Sequence, residues 1–130
     1  MTWLKDLAFG EEGEGIIKKI IGGEKVDWKE GYDLSYKGKR IEVKRDARAR
    51  QTGNLCFEDS LIHQGTDYIV FIVEGTTDMY VFTKKECVNE MLKGYKMRFE
   101  NKKYIYLVNR QLLNKYKKNE EQLKLFFQTI

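Results

Sequence analysis

The stretch that decides the reading of this chain is YDLSYKGKRIEVK, Tyr32 to Lys44. Two short runs of alternating apolar residues flank Lys37-Gly38, the pattern of a β-hairpin closed by a two-residue turn. In that register Leu34 faces Ile41 and Tyr32 faces Val43, and strand alternation gathers these four on one side. The other side collects Asp33, Ser35, Arg40, Glu42 and Lys44, with Asp33 directly opposite Glu42. Carboxylates in direct opposition repel and destabilise a sheet. A shared divalent cation turns that repulsion into coordination. Mg²⁺ takes one or two carboxylates and completes its shell with water and phosphate oxygens. Lys44 lies two residues from Glu42 and points the same way. Its ammonium is suited to stabilising charge on a phosphate or holding an attacking water. The same spacing also describes an ordinary solvated hairpin face, since short patterns of this kind arise by chance.

Outward from the hairpin, the region from about Trp3 to Ile21 reads as a helix with apolar positions Phe9, Ile16, Ile17, Ile20 and Ile21, stopped by Gly22-Gly23. Asn54 to Glu58 reads as a third strand. DYIVFIV, Asp67 to Val73, reads as a buried central strand. Met79 to Thr83 follows as a strand, Lys84 to Lys93 as a short helix, Tyr104 to Val108 as another strand and Gln111 to Phe127 as a terminal helix. This order implies an α/β fold, a mixed sheet flanked by helices, over residues 1–130 as a single domain.

Composition sets the outer bounds. The chain has 130 residues, 42% of them hydrophobic and 13% aromatic, enough for a packed core. No apolar run approaches the roughly 20 residues of a membrane span. The opening MTWLKDLAFGEEGEG lacks the basic start and apolar stretch of a secretory signal. Cys56 and Cys87 make neither a disulfide framework nor a zinc site. The expectation is a cytoplasmic protein with no membrane partner. The net charge of +4 is unevenly spread. Residues 1–30 carry five basic against seven acidic side chains, residues 37–50 seven against two, and residues 84–118 eleven against three. A cationic surface around an acidic spot suits a phosphate-backbone ligand, although a soluble protein rich in lysine has the same balance.

Among the remaining candidates, Glu14 shares a helical side with Ile17 and Ile21, near the packed face. It admits a second reading as a first-turn glutamate favoured by the helix dipole, which also fits Glu11 and Glu12. Glu58 ends the third strand, sharing a side with Asn54 and Cys56. Arg45, Arg48 and Arg50, with Thr52 and Asn54, form a basic polar segment after Lys44, fit to position a nucleic-acid backbone or to lie as a solvated loop. His63, the only histidine, reads as a surface loop residue. There is no phosphate-cradling Gly-x-x-x-x-Gly-Lys loop and no serine nucleophile elbow.

Asp33 followed by Ile41-Glu42-Val43-Lys44, preceded by the helix stretch Phe9-Gly-Glu-Glu-Gly-Glu-Gly-Ile-Ile, resembles the PD-(D/E)xK nucleases. The spacing from Thr52-Gly-Asn-Leu-Cys-Phe-Glu58 to Asp67-Tyr-Ile-Val-Phe looks like the small phage-encoded members, and the archaeal-type Holliday junction resolvases share the layout. The resemblance covers roughly residues 9–83. Tyr32 stands where the name-giving motif has proline, as in many members. The resemblance implies a restriction-endonuclease-like αβββαβ core. It also implies Mg²⁺-dependent hydrolysis of phosphodiester bonds in DNA, with Mn²⁺ able to substitute. By that likeness Asp33, Glu42 and Glu14 hold metal with Glu58 as a further ligand, Lys44 assists, and the segment from Arg45 to Asn54 meets DNA. A chain without a separate recognition domain points to structure-selective cutting, as of branched DNA, or to nonspecific cutting. Paired cuts at a junction imply a homodimer. The alternative is a non-catalytic nucleic-acid-binding module on the same fold.

Overall fold

The computed structural model describes residues 2–26, 33–99 and 103–130, without the side chains of residues 2–8 and 99. Tyr32, expected opposite Val43, lies outside the described residues.

Helix α1 spans Thr2–Ile21 and ends where Gly22 and Gly23 both adopt positive φ. A two-residue strand β1 (Glu24–Lys25) pairs with β2 (Leu34–Tyr36), which turns through Lys37-Gly38 into β3 (Lys39–Asp46). The hairpin takes the expected register, Leu34 against Ile41. The parallel neighbour of β3 is β5 (Tyr68–Val73), and β6 (Met79–Thr83) runs antiparallel beyond it. With β9 (Lys117–Lys118) at the far edge these make a mixed six-stranded sheet in the order β1-β2-β3-β5-β6-β9. The run YIVFIV becomes its interior because almost every side chain of β5 is buried.

Strands β4 (Asn54–Glu58), β7 (Tyr95–Phe99) and β8 (Lys103–Asn109) depart from the single expected sheet. They form a second, three-stranded sheet in the order β4-β8-β7. Its inner side, Leu55, Phe57, Tyr106 and Val108, packs on Ile69, Phe71, Tyr80 and Phe82 of the first sheet. Helix α3 (Lys84–Leu92) contributes Cys87 and Met91 to the same core. It is started by a capping box in which Thr83 and Glu86 satisfy each other's backbone amides. The opposite side of the large sheet, Ile41, Val43, Val70 and Ile72, is covered by Ile17 and Ile21 of α1 and by Leu123 and Phe127 of α4 (Glu120–Gln128). Strands β5 and β6 thus serve two cores. That explains the continuous apolar run of β5, while β3 gives Ile41 and Val43 to one core and turns Glu42 and Lys44 to the side of the second sheet.

Two expectations need correction. The helix expected over 111–127 is instead a 3₁₀ segment, Arg110–Tyr116, then β9, then α4. Asn119 breaks it, because its side chain accepts from Gln122 N–H and Gln122 answers back, a helix start in mid-run. Strand β7 was not expected at all. Its mixed sequence YKMRF lies at an exposed sheet edge and so carries little apolar signature.

No described helix is long and apolar enough to cross a membrane. Both described cysteines are free. Burial pushes the Cys56 thiol up to about 11 and the Cys87 thiol up to about 12, so neither is a ready nucleophile.

Candidate metal centre

Alternation along β3 buries Ile41 and Val43 against α1 and α4 and turns Glu42 and Lys44 to the other side. Glu42 is 7% exposed, a carboxylate almost out of water. Lys44 Nζ stands 3.4 Å from its Oε1. Burial drives the Glu42 carboxyl from its ordinary 4.5 to about 7, with Asp33 and Glu58 adding to the rise and Lys44 opposing it. For Lys44 burial works to lower its pKa, but the charges of Glu42, Glu58 and Asp33 outweigh it and the net shift is upward. The lysine is therefore a cation throughout the neutral range.

Asp33 is not in the ladder. Pairing ends at Leu34–Ile41, and Asp33 folds onto the end of the hairpin instead. Its N–H donates to the Ile41 carbonyl at 3.0 Å, and its Oδ2 accepts the Val43 N–H at 2.8 Å. The expected placement directly opposite Glu42 is thus replaced by a side chain clamped to the backbone one residue beyond Glu42.

Glu14, on α1, arrives from the other side of the sheet edge and hydrogen-bonds Asp33. Burial first, then that bond and the negative charge of Asp33, push its carboxyl from 4.5 to about 7. Lys25 Nζ, 3.7 Å from Glu14 Oε2, opposes the rise. Glu14 lies nearer the packed face than Glu11 and Glu12, which are exposed. Glu12 is occupied elsewhere, and Glu14's side chain is only 17% exposed.

Glu58, at the end of β4, comes within 4.0 Å of Lys44 Nζ. What brings it there is a residue the sequence did not single out. Asp46 Oδ1 accepts the amides of Arg48 and Ala49, starting the short helix α2 (Ala49–Thr52). Its Oδ2 accepts the Cys56 N–H at 3.0 Å, lashing β4 to the end of β3. A conventional signal was present, since aspartate before a helical turn is a capping residue.

The basic segment divides. Arg45 points to the α1 side, as the alternation of Ile41, Val43 and Arg45 requires. Its guanidinium bonds Glu74 at 2.7 Å, Glu12 at 2.9 Å and the Phe9 carbonyl at 3.2 Å, and lies 4.1 Å from the Phe9 ring centroid. With a side chain only 10% exposed, Arg45 holds α1 to the sheet and is corrected from a nucleic-acid contact to a structural tie. Thr52 Oγ1 donates to the Arg48 carbonyl and accepts the Asn54 N–H, closing the turn into β4. Asn54 pairs with Asn109 at the start of that strand. Arg48 and Arg50 are exposed, and Arg50's guanidinium lies close over Gly75. His63 is exposed, as expected.

Asp33, Glu42 and Glu58 thus gather around Lys44 from the hairpin and β4, and Glu14 of α1 stands beside Asp33. Among the described residues no three of them stand as a ready-made cage for a metal. The donor set nevertheless suits a hard cation that binds through one or two carboxylates and keeps most of its water.

A scan of the chain against profiles of protein families finds no match, and no curated protein sequence matches it.

Proposed function

We propose that the chain is a divalent-metal-dependent nuclease that hydrolyses phosphodiester bonds in DNA, built on a restriction-endonuclease-like core. The observation that carries this reading is the buried Glu42 with Lys44 two residues on, set against Asp33 and Glu14 from separate elements. The order α1, β2–β3 hairpin, β5 parallel to β3 supports the fold assignment.

In this mechanism Asp33 and Glu42 would hold Mg²⁺, with Glu14 and Glu58 as further carboxylates. When bound, the metal would offset charge on the attacked phosphate and lower the pKa of a coordinated water. Lys44, fixed between Glu42 and Glu58, donates to a phosphate oxygen as charge grows on it. Asp33 would be oriented by the bond from the Val43 N–H to its Oδ2. Glu14, with its carboxyl near 7, orients the attacking water and can accept its proton at neutral pH. Exposed Arg48 and Arg50 sit one turn beyond, where they can neutralise neighbouring phosphates. Cutting both strands of a junction in concert requires a homodimer.

The test is a cleavage assay on supercoiled plasmid, a four-way junction and linear single and double strands, in Mg²⁺, Mn²⁺ and EDTA. Cutting that needs metal and disappears in Lys44→Ala supports the reading. Metal-independent binding without cutting, with affinity falling with salt, points instead to a binding module.

A further inference from the structure

The second sheet has an outer side of which the mechanism above uses only Glu58. Strand pairing aligns it in two rows: Glu58, Ile105 and Met97, and next to it Cys56, Leu107 and Tyr95. The opposite side is the packed one, with Tyr106 and Val108 buried and Lys96 lying over the Tyr104 ring. The outer rows begin at the candidate centre, since Glu58 faces Lys44. They end at the open edge of the sheet, where Tyr95 is 70% exposed and Met97 38%. Between them Ile105, Leu107 and Cys56 are half-buried. A floor of aliphatic and sulfur atoms therefore leads from a phosphate-handling centre to a phenol ring standing in water.

We propose that this strip is a stacking platform for unpaired bases of the nucleic acid whose phosphate lies at Lys44, so that the substrate presents single-stranded nucleotides beside the cut. The proposal rests on the nuclease reading for the position of that phosphate.

Size and charge select this occupant. Strands lie about 4.8 Å apart and same-side residues about 7 Å apart along a strand. The strip is then roughly 10 Å by 7 Å, matched to one or two base rings and far below the about 800 Å² per partner of a stable dimer. Lys103 continues the same side by alternation and is exposed, with Lys44 at the inner end. An apolar floor between cations suits a polyanion with flat faces, because any base stacks on an aromatic ring while the backbone follows the positive charge. A paired duplex keeps its bases stacked on each other and offers the strip nothing.

The experiment measures equilibrium binding, in EDTA and in Ca²⁺, of labelled oligonucleotides of one length: a single strand, the same strand with consecutive abasic sites, and the blunt duplex. Wild type, Tyr95→Ala and Tyr95→Trp are compared. Wild type is expected to prefer the intact single strand over the abasic one by about tenfold, Tyr95→Ala to lose that preference and Tyr95→Trp to keep it. Equal affinity of wild type for intact and abasic strands overturns the proposal, as does an unchanged preference in Tyr95→Ala. A dimer in sedimentation that Tyr95→Ala dissociates also overturns it, assigning the strip to a second copy. Exposure of Tyr95 keeps the variant folded, and a thermal melt verifies that. The two readings fail separately. Base preference lost in Tyr95→Ala, in a wild type that cuts nothing with Mg²⁺, retains the platform and removes the nuclease. Metal-dependent cutting with preference unaffected by Tyr95→Ala does the reverse.

Discussion

Asp33 Oδ2 accepts the Val43 N–H at 2.8 Å, so one carboxylate oxygen of the hairpin is committed to backbone. The bond fixes Asp33 relative to the strand that carries Glu42 and Lys44. The two roles of Asp33 are therefore separable by mutation. Asp33→Asn keeps an oxygen for the Val43 amide, and its stability is expected within about 0.5 kcal/mol of wild type or above it, because a negative charge leaves a crowded site. Asp33→Ala strands the amide and is expected to cost about 1–2 kcal/mol. Both should lose metal-dependent cutting. Denaturant unfolding and plasmid nicking measure the two effects, and an Asp33→Asn protein that nicks like wild type removes Asp33 from the metal site.

Removing Lys44 takes away both the counter-charge of Glu42 and the donor to phosphate. Lys44→Ala is expected to fold, because Glu42 can take up a proton near neutral pH. It is expected to lower the cleavage rate by about 100-fold or more, as removal of one transition-state donor does. Lys44→Arg keeps a cation but adds bulk in a side chain only 25% exposed. Partial rescue there, read by single-turnover rates, separates charge from shape.

The raised carboxyls set the response to pH. Glu14 and Glu42 go from an ordinary 4.5 to about 7 in the folded chain, so the native state binds protons more tightly than the unfolded one between those values. The contribution of these two groups to the stability of the metal-free protein is therefore full below about 4.5, falls as pH rises toward 7, and levels off above it. Metal competes with those protons. Millimolar Mg²⁺ or Mn²⁺ should raise the melting temperature more at pH 8 than at pH 6. Differential scanning fluorimetry at both values tests this, and stability that climbs with pH through that window without metal contradicts the burial argument.

Arginines of the basic segment are expected to respond in opposite ways. Arg45→Ala breaks two ion pairs and a carbonyl contact between α1 and the sheet, and is expected to cost about 2–3 kcal/mol with little change in the salt dependence of DNA binding. Arg48→Ala and Arg50→Ala should leave the melting temperature nearly unchanged and flatten the slope of affinity against salt, by about one unit each if each meets a phosphate. Fluorescence anisotropy at several salt concentrations distinguishes them.

Lys37 links the hairpin turn to the far end of the chain. Its Nζ donates to the Gln128 carbonyl at 2.8 Å and reaches Phe127's at 3.4 Å, capping the C-terminus of α4. Lys37→Ala is expected to cost about 0.5–1 kcal/mol, visible as faster amide exchange in the last turn of α4.

The hairpin was legible because a Lys-Gly turn fixes register and alternation does the rest. Glu14 was legible because a glutamate on the apolar side of a helix needs a reason. Arg45 was legible too, by the same alternation that separated Lys44 from Val43, but grouping it with Arg48 and Arg50 by charge hid the parity. Asp46 acts through three backbone amides, one of them on β4, and a sequence does not display which distant N–H a carboxylate will meet. The second sheet was hidden for a related reason. Strand β4 reads correctly as a strand, but choosing β8 as its partner depends on β5 being already covered on that side.

That partnership also dictates when the centre can exist. Strand β4 has one neighbour in its sheet, β8, which lies far along the chain. Until β8 is in place, β4 has no ladder to join, and only the bond from Cys56 N–H to Asp46 ties it, with Glu58, to β3. Closing so long a loop is slow and comes late in folding. A growing chain can form the hairpin and α1 before β8 emerges, so Glu58 settles against Lys44 only after the strand that carries Lys44 is already in place.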